Sequence, residues 1–259
     1  MPFFHHSKPV YIILKINRLI HSVIIGGSKG LGKAIVKKMI ERGDMVSVIS
    51  KKIPDNKIAT VKYYQADLSN SENILFSLEK IRRSGRINYL IFSQRYRGTG
   101  DTWAGEIEVS LTASKIIVEF LQDKFSKEDN AILFISSAFA EYVGAGQPLS
   151  YHLGKAGMNT MMKHYAVLLG KQQIRSNSIS PFTFVKEESE KYYSDQGALL
   201  EMYQKIVPLQ RMGNTDEIAD VALFLCSPQS RYVSGQNLYV DGGLSAIWQE
   251  SVALSITKK

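Results

Sequence analysis

The sequence predicts an α/β fold: a single doubly wound parallel sheet with helices on both faces. Three observations carry that expectation. Short apolar runs alternate with longer amphipathic stretches along nearly the whole chain. A glycine-rich turn, "GGSKGLG", stands directly between the first apolar run and the first amphipathic stretch. The 259 residues are 44% hydrophobic, enough for one sizeable core, and contain no internal repeat or low-complexity segment. Strands regularly separated by helices pair in parallel, and right-handed crossovers then cover both faces of the sheet.

The elements follow in order. "SVIIGG" reads as a strand and "LGKAIVKKMIERG" as a helix ending at Gly43. "MVSVIS" is a strand, and "VKYYQADL" is a strand running into a loop. "SENILFSLEKIRRSG" is a helix and "INYLIFS" a strand. A long helix covers much of Glu106 to Phe125, then "AILFISS" is a strand and Tyr151 to Leu169 a helix. "IRSNSISP" is a strand, "TDEIADVALFLCS" a helix and "NLYVDGG" the last strand. In such a sheet ligands bind beyond the carboxyl ends of the strands.

Composition narrows the function classes. The single cysteine, Cys226, excludes an internal disulfide and a cysteine-only metal site, which fits a reducing cytoplasm. No apolar run reaches the roughly 18 residues of a membrane span. The net charge of +8 permits acidic partners, but the basic residues are dispersed and no nucleic-acid module stands out. A basic pocket for a phosphorylated small molecule is a sufficient explanation. At the N-terminus the apolar patch Val10 to Leu14 is interrupted by Lys15 and Arg18, with no small-residue cleavage site, so a signal peptide is not expected. An extra strand, a loose arm or a misplaced start codon all fit. His5 and His6 lack evident partner ligands, so no metal site is expected. Residues 1–21 read as an extension, 22–250 as the domain and 251–259 as a tail.

The glycine loop supplies the first functional signal. Gly26, Gly30 and Gly32, spaced GxxxGxG, permit a tight turn and close approach of backbone to a phosphate, together with Ser28, Lys29 and Leu31 of the same loop. The helix N-terminus adds unpaired N–H groups and the positive end of its dipole. The second strand ends in "VISKK", where a binder of NAD commonly has a carboxylate for the ribose 2′-hydroxyl. Ser50, Lys51 and Lys52 instead suit a 2′-phosphate, with Lys29 as a further cation, so NADP is expected over NAD. The second signal is Tyr151 and Lys155, four positions apart on one helix face, about 5–6 Å between Cβ atoms. A nearby ammonium stabilises a phenolate and brings its pKa towards the operating range.

These motifs, with "ADL" at 66–68, "FISS" at 134–137, "NSISP" at 177–181 and the closing "PLQRMGNTDEIADVALFLCSPQSRYVSGQNLYVDGG", resemble the classical short-chain dehydrogenase/reductase family over residues 22 to 245. The nearest resemblance is to its 3-oxoacyl-carrier-protein reductase-like branch. The resemblance implies a Rossmann-type fold and a carbonyl–alcohol oxidoreductase using NADP(H). It implies that Asp67 and the Leu68 backbone hold the adenine edge and that Ser137 polarises the substrate carbonyl. Tyr151 would be the general acid, and Lys155 would hold the nicotinamide ribose and tune the tyrosine. Ser136 competes for the serine role, but the spacing to Tyr151 favours Ser137 and suggests a small insertion near Pro148.

Three departures accompany the resemblance. The family's NNAG aligns with Phe92-Ser93-Gln94-Arg95, so large side chains threaten the cofactor's seat, or Arg95 points into the pocket for a substrate anion. Ser93 stays among the cofactor residues. The family's helix asparagine aligns with Ser110, a shorter relay that needs an extra water. Pro181-Phe182 replaces Pro-Gly, and the following threonine is replaced near Lys186. Pro181 and Phe184 are then expected beside the nicotinamide.

Residues 182–207 are expected to form a lid, with Phe182, Phe184, Tyr192 and Tyr193 beside Glu187, Glu188 and Glu190. The altered cofactor loops leave a second class open: a catalytically degenerate dinucleotide sensor or scaffold. An extended-type epimerase or dehydratase fits less well with the short chain and the VDGG terminus. Apolar residues on more than one face of the helices at 106–125 and 151–169 predict a homotetramer or homodimer.

Overall fold

The computed structural model describes residues 19–186 and 197–257. Strands are β1 (His21–Ile25), β2 (Met45–Ser50), β3 (Val61–Gln65), β4 (Tyr89–Phe92), β5 (Asn130–Ile135), β6 (Ile174–Pro181), β7 (Phe184–Val185), β8 (Gly213–Asn214) and β9 (Asn237–Val240). Seven of them form one parallel sheet in the order β3-β2-β1-β4-β5-β6-β9, while β7 and β8 pair with each other. The order reverses at β1, between β2 and β4, and that switch point opens a crevice at the carboxyl ends of the strands. The expected doubly wound Rossmann-type architecture is the observed one.

Strand parity divides the core. Val23 and Ile25 of β1 face one side, packing with Ile74, Leu78, Ile117 and Met158. Ile24 faces the other, with Ile35, Met39 and Ala222. Both faces are covered, which is why these strands read as unbroken apolar runs.

The helices start and stop for local reasons. α1 (Gly30–Arg42) ends at Gly43, whose φ of 97° is left-handed. In α2 (Ser71–Arg83) the Asn70 side chain caps the Asn73 N–H, and Ile74, Leu78 and Ile81 are buried at helical spacing. α3 (Thr102–Glu106) runs through a π-helical segment, Ile107–Thr112, into α4 (Ala113–Leu121). α5 (Leu149–Leu168) precedes β6. After α6 (Gly197–Ile206), α7 (Thr215–Leu225) opens with a capping box between Asn214 and Glu217, and α8 (Gln249–Thr257) closes the described chain.

β1 begins at His21, whose buried ring contacts Ser47 Oγ at 2.9 Å. Among the described residues no helix is long and apolar enough to cross a membrane, and no cluster of three metal-ligating side chains occurs. His5, His6, Glu187, Glu188, Glu190, Tyr192 and Tyr193 lie outside the described residues.

Candidate active site

A cleft of about 540 Å³ follows the carboxyl ends of the strands from the glycine loop to α5. Its floor depends on two glycines. Gly26 has a φ of 85°, and a Cβ there would lie 2.8 Å from the Gln94 backbone. A Cβ on Gly32 would lie 2.2 Å from the Gly26 carbonyl oxygen, so α1 can approach β1 only without one. This cradle, with Ser28, Lys29, Gly30 and Leu31 along it and the free N–H groups of α1 at its end, fits the pyrophosphate of a dinucleotide.

The adenosine end lies beyond β2 and β3. Ser50, Lys51, Lys52, Asp67 and Leu68 line it. Lys51 is ion-paired with Asp67 at 2.7 Å, which holds the carboxyl below its usual range. The Ser50 hydroxyl donates to the Lys52 carbonyl at 2.8 Å. Lys51 is well exposed, so the pair is weak and open to competition by a phosphate. Among the described residues seven basic side chains line the cleft (Lys29, Lys51, Lys52, Arg95, Arg97, Lys155 and Lys186), against one carboxylate, Asp67.

At the other end stand Ser137, Tyr151 and Lys155, all in the cleft wall. Lys155 is 4% exposed; its ammonium donates to the Ile135 carbonyl at 2.8 Å. Burial, aided by the charge of Arg95 and opposed by that of Glu106, pushes its pKa down to about 8. Lys155 Nζ lies 5.8 Å from the Tyr151 ring centroid. Ser137 caps the turn Ala138–Ala140, its oxygen accepting the Phe139 N–H at 3.2 Å. The hydroxyl of its competitor, Ser136, is committed to the Lys155 carbonyl at 3.1 Å.

The segment after β4 resolves differently from the expectation of two obstructive side chains. Phe92 does not obstruct the cleft: it is fully buried, stacked on Phe134 with centroids 4.8 Å apart. Ser93, Gln94 and Arg95 do line the cleft. Arg95 lies over the Tyr151 ring, 4.6 Å from its centroid. Pro181, Phe182 and Phe184 complete the wall, and Phe182 meets Phe139 edge-on at 5.7 Å.

Ser110 is the one expected site residue outside the lining. It is 0% exposed, and its hydroxyl donates to Glu106, so it does not orient a cleft water directly. Glu106, 4% exposed, was not evident in the sequence, where a lone helix glutamate reads as a solvated charge. It packs against α5: a Cβ on Gly154 would lie 3.1 Å from Glu106 Oε1. The π-helical turn allows this arrangement. The Val109 carbonyl accepts from Gln94 Nε2 at 3.3 Å and the Ser110 carbonyl from Ser114 Oγ at 2.7 Å, satisfying groups the wider turn displaces.

Comparison with known proteins agrees with this geometry. A family model described as enoyl-(acyl carrier protein) reductase matches residues 26–245. The chain is 29% identical over 251 residues to (21S)-21-acetoxyl-apo-melianone synthase of Melia azedarach, spanning 87% of this chain and 89% of that protein. It is 28% identical to the 3-oxoacyl-[acyl-carrier-protein] reductase of Chlamydia muridarum, spanning 86% of this chain and 96% of that one. The ligand-free aldohexose dehydrogenase of Thermoplasma acidophilum has the same fold, with a TM-score of 0.79 at 24% identity over 90% of this chain and 96% of that one. With a family match running from the glycine loop to the segment after the last strand, the chain belongs to the short-chain dehydrogenase/reductase family of oxidoreductases.

Proposed function

We propose that the protein interconverts a carbonyl compound and a secondary alcohol with NADP(H), using Tyr151 as general acid and base. The observation that carries this reading is the placing of Ser137, Tyr151 and Lys155 on one wall of a cleft whose far end is the glycine cradle and its lysines. A bound nicotinamide dinucleotide supplies the hydride. Gly26 and Gly32 leave room for its pyrophosphate, and the lysine-rich end accommodates a 2′-phosphate. Ser137 and Tyr151 address the substrate oxygen. The Tyr151 hydroxyl gives its proton to that oxygen, and the Lys155 ammonium stabilises the phenolate that remains. Ser93, Pro181 and Phe184 bound the nicotinamide end. The relative named a 3-oxoacyl-[acyl-carrier-protein] reductase supports carbonyl chemistry.

The choice of NADP(H) is tested by titrating NADPH and NADH at two ionic strengths. Lys51→Ala is expected to weaken NADPH by roughly tenfold at low salt, the scale of one charge-assisted hydrogen bond, and to leave NADH nearly unchanged. Equal affinities for the two cofactors in the parent protein would return these lysines to the solvated surface.

Glu106 acts behind the site by supporting the charge of Lys155. Glu106→Gln keeps a partner for Ser110 and removes the negative charge. Three groups face the ammonium: Glu106 raises its pKa, Arg95 lowers it, and Tyr151 lies alongside. The substitution is therefore expected to move the Lys155 pKa below about 8, and the corresponding limb of the kcat profile towards lower pH. A profile that does not move would confine Glu106 to packing.

The enzyme works as a homo-oligomer. Leu153, Val167 and Leu168 of α5 are exposed, as are Trp248 and Leu254 near the end of the chain, and an apolar surface of this kind is suited to a second copy. A monomeric mass by light scattering at micromolar concentration would contradict this.

A further inference from the structure

Arg95 stands at the reacting end of the cleft, and the dinucleotide-binding scheme gives it no task. Two contacts hold it there: its guanidinium carbon lies 4.6 Å from the Tyr151 ring centroid, and one N–H donates to Gln147 Oε1 at 3.1 Å. A guanidinium carries five N–H donors in a fixed fork, so these contacts leave donors for the cleft. Among the described residues the lining at this end is basic, and the nearest carboxylate, Glu106, is buried behind Lys155 rather than in the cleft wall. Lys155 puts a second cation on the same wall, and Arg95 helps to hold its pKa down. The only carboxylate lining the cleft among the described residues, Asp67, is paired with Lys51 at the opposite end.

The phosphates of a dinucleotide do not reach Arg95. The pyrophosphate belongs at Gly26 to Gly32, and a 2′-phosphate belongs with Lys29 and Lys51 beyond β1 and β2. Arg95 instead follows β4 and covers the phenol that addresses the substrate.

We propose that the substrate is an oxo acid, whose carboxylate Arg95 binds through its fork while Tyr151 addresses the carbonyl. The inference rests on Tyr151 as proton donor. A carbonyl oxygen at the phenol and a carboxylate at a guanidinium lying over the same ring are roughly one to three bonds apart along the substrate, given ordinary hydrogen-bond lengths. That spacing fits 2-, 3- and 4-oxo acids. In the reduction, the carbonyl carbon accepts a hydride from the reduced nicotinamide and its oxygen takes the Tyr151 proton. The product is the hydroxy acid, the nicotinamide is oxidised, and the carboxylate is unchanged. Phe182 and Phe184, with Phe139 packed edge-on against Phe182, provide an apolar wall for the rest of the molecule.

Matched probes test this on the full chain with NADPH: pyruvate, acetoacetate and levulinate, each against its methyl ester. The acids are expected to exceed their esters in kcat/KM for at least one pair by about ten- to hundredfold, the range of a charge-assisted pair. Arg95→Ala should remove that advantage, so that acid and ester have similar kcat/KM within the variant, with Arg95→Lys between the two. A second readout needs no turnover: malonate, which carries no ketone, should bind the NADPH complex of the parent and of Tyr151→Phe, but bind Arg95→Ala at least tenfold more weakly. Should Arg95→Ala fold poorly, Arg95→Lys and Gln147→Ala, which frees the fork, carry the comparison. Esters turned over as well as acids, without malonate binding, would overturn the oxo-acid assignment and leave carbonyl reduction standing. Malonate binding without turnover of any probe would overturn carbonyl reduction and leave the anion site. A tenfold loss of NADPH affinity in Arg95→Ala would assign the side chain to the cofactor and overturn the proposal.

Discussion

Tyr151→Phe is expected to lower kcat by about 10²–10⁴-fold, the usual worth of a positioned general acid, while NADPH binding stays nearly intact. The substitution removes one oxygen. The ring keeps its place under the Arg95 guanidinium, 4.6 Å away, and edge-on to His152, with centroids 6.4 Å apart. Ser137 and the glycine cradle are untouched. What is lost is the proton delivered as charge develops on the substrate oxygen, an interaction made in the transition state rather than on binding. KM should therefore change little beside kcat. Stopped-flow oxidation of NADPH with a substrate that the parent enzyme turns over checks this, and full activity in the variant would remove Tyr151 from the reaction.

Lys155→Met is expected to separate activity from stability. Turnover should fall by orders of magnitude and NADPH should bind more weakly, because the proposed mechanism uses this ammonium to stabilise the phenolate and hold the nicotinamide ribose. The apo fold should become more stable near neutral pH. Burial depresses the folded pKa from 10.5 to about 8, so between those values the unfolded chain holds a proton that the folded chain has released. Stability then rises with pH across that window. Below it the folded state carries the full cost of the buried charge, about 3 kcal/mol at 1.36 kcal/mol per pKa unit. Losing the ammonium also strips the Ile135 carbonyl of its 2.8 Å partner, which returns about 1–2 kcal/mol of that gain. Urea melts at pH 7 and pH 10 should show the parent more stable at the higher pH and the variant flat by comparison. A parent protein with no such rise would mean that Lys155 is not a strained buried cation.

Much of the fold was legible because its elements obey local rules. β2 occupies "MVSVIS", where a buried, mostly apolar run meets turn residues, β6 occupies "IRSNSISP", and α1 stops at the left-handed Gly43. The glycine loop, Tyr151 and Lys155 were legible as chemistry because their spacing has a mechanical reason. Other features depend on contacts between distant segments. One extra residue per turn at Ile107–Thr112 leaves no periodic mark, so neither the burial of Glu106 nor the turning of Ser110 away from the cleft could be read from helical spacing. Phe92 stands at the family's cofactor-contacting position, but strand parity puts its ring on the side occupied by Phe134. The Lys51–Asp67 pair joins the ends of two adjacent strands, and neither segment alone announces the other. The short pairing of β7 with β8 and the helix α8 carry too few residues to show a period.

The most direct test of the account follows a deuterium atom. NADPH deuterated at the transferable position of nicotinamide C4 is mixed with stoichiometric enzyme and a panel of ketones that includes acetoacetate and its methyl ester, and the products are read by mass spectrometry and NMR. The account predicts deuterium on the carbinol carbon of at least one product, with transfer slowed at least a hundredfold in Tyr151→Phe. NADPH bound tightly by a correctly folded protein, with no deuterium transferred to any carbonyl, would contradict it and favour a protein that only senses the dinucleotide.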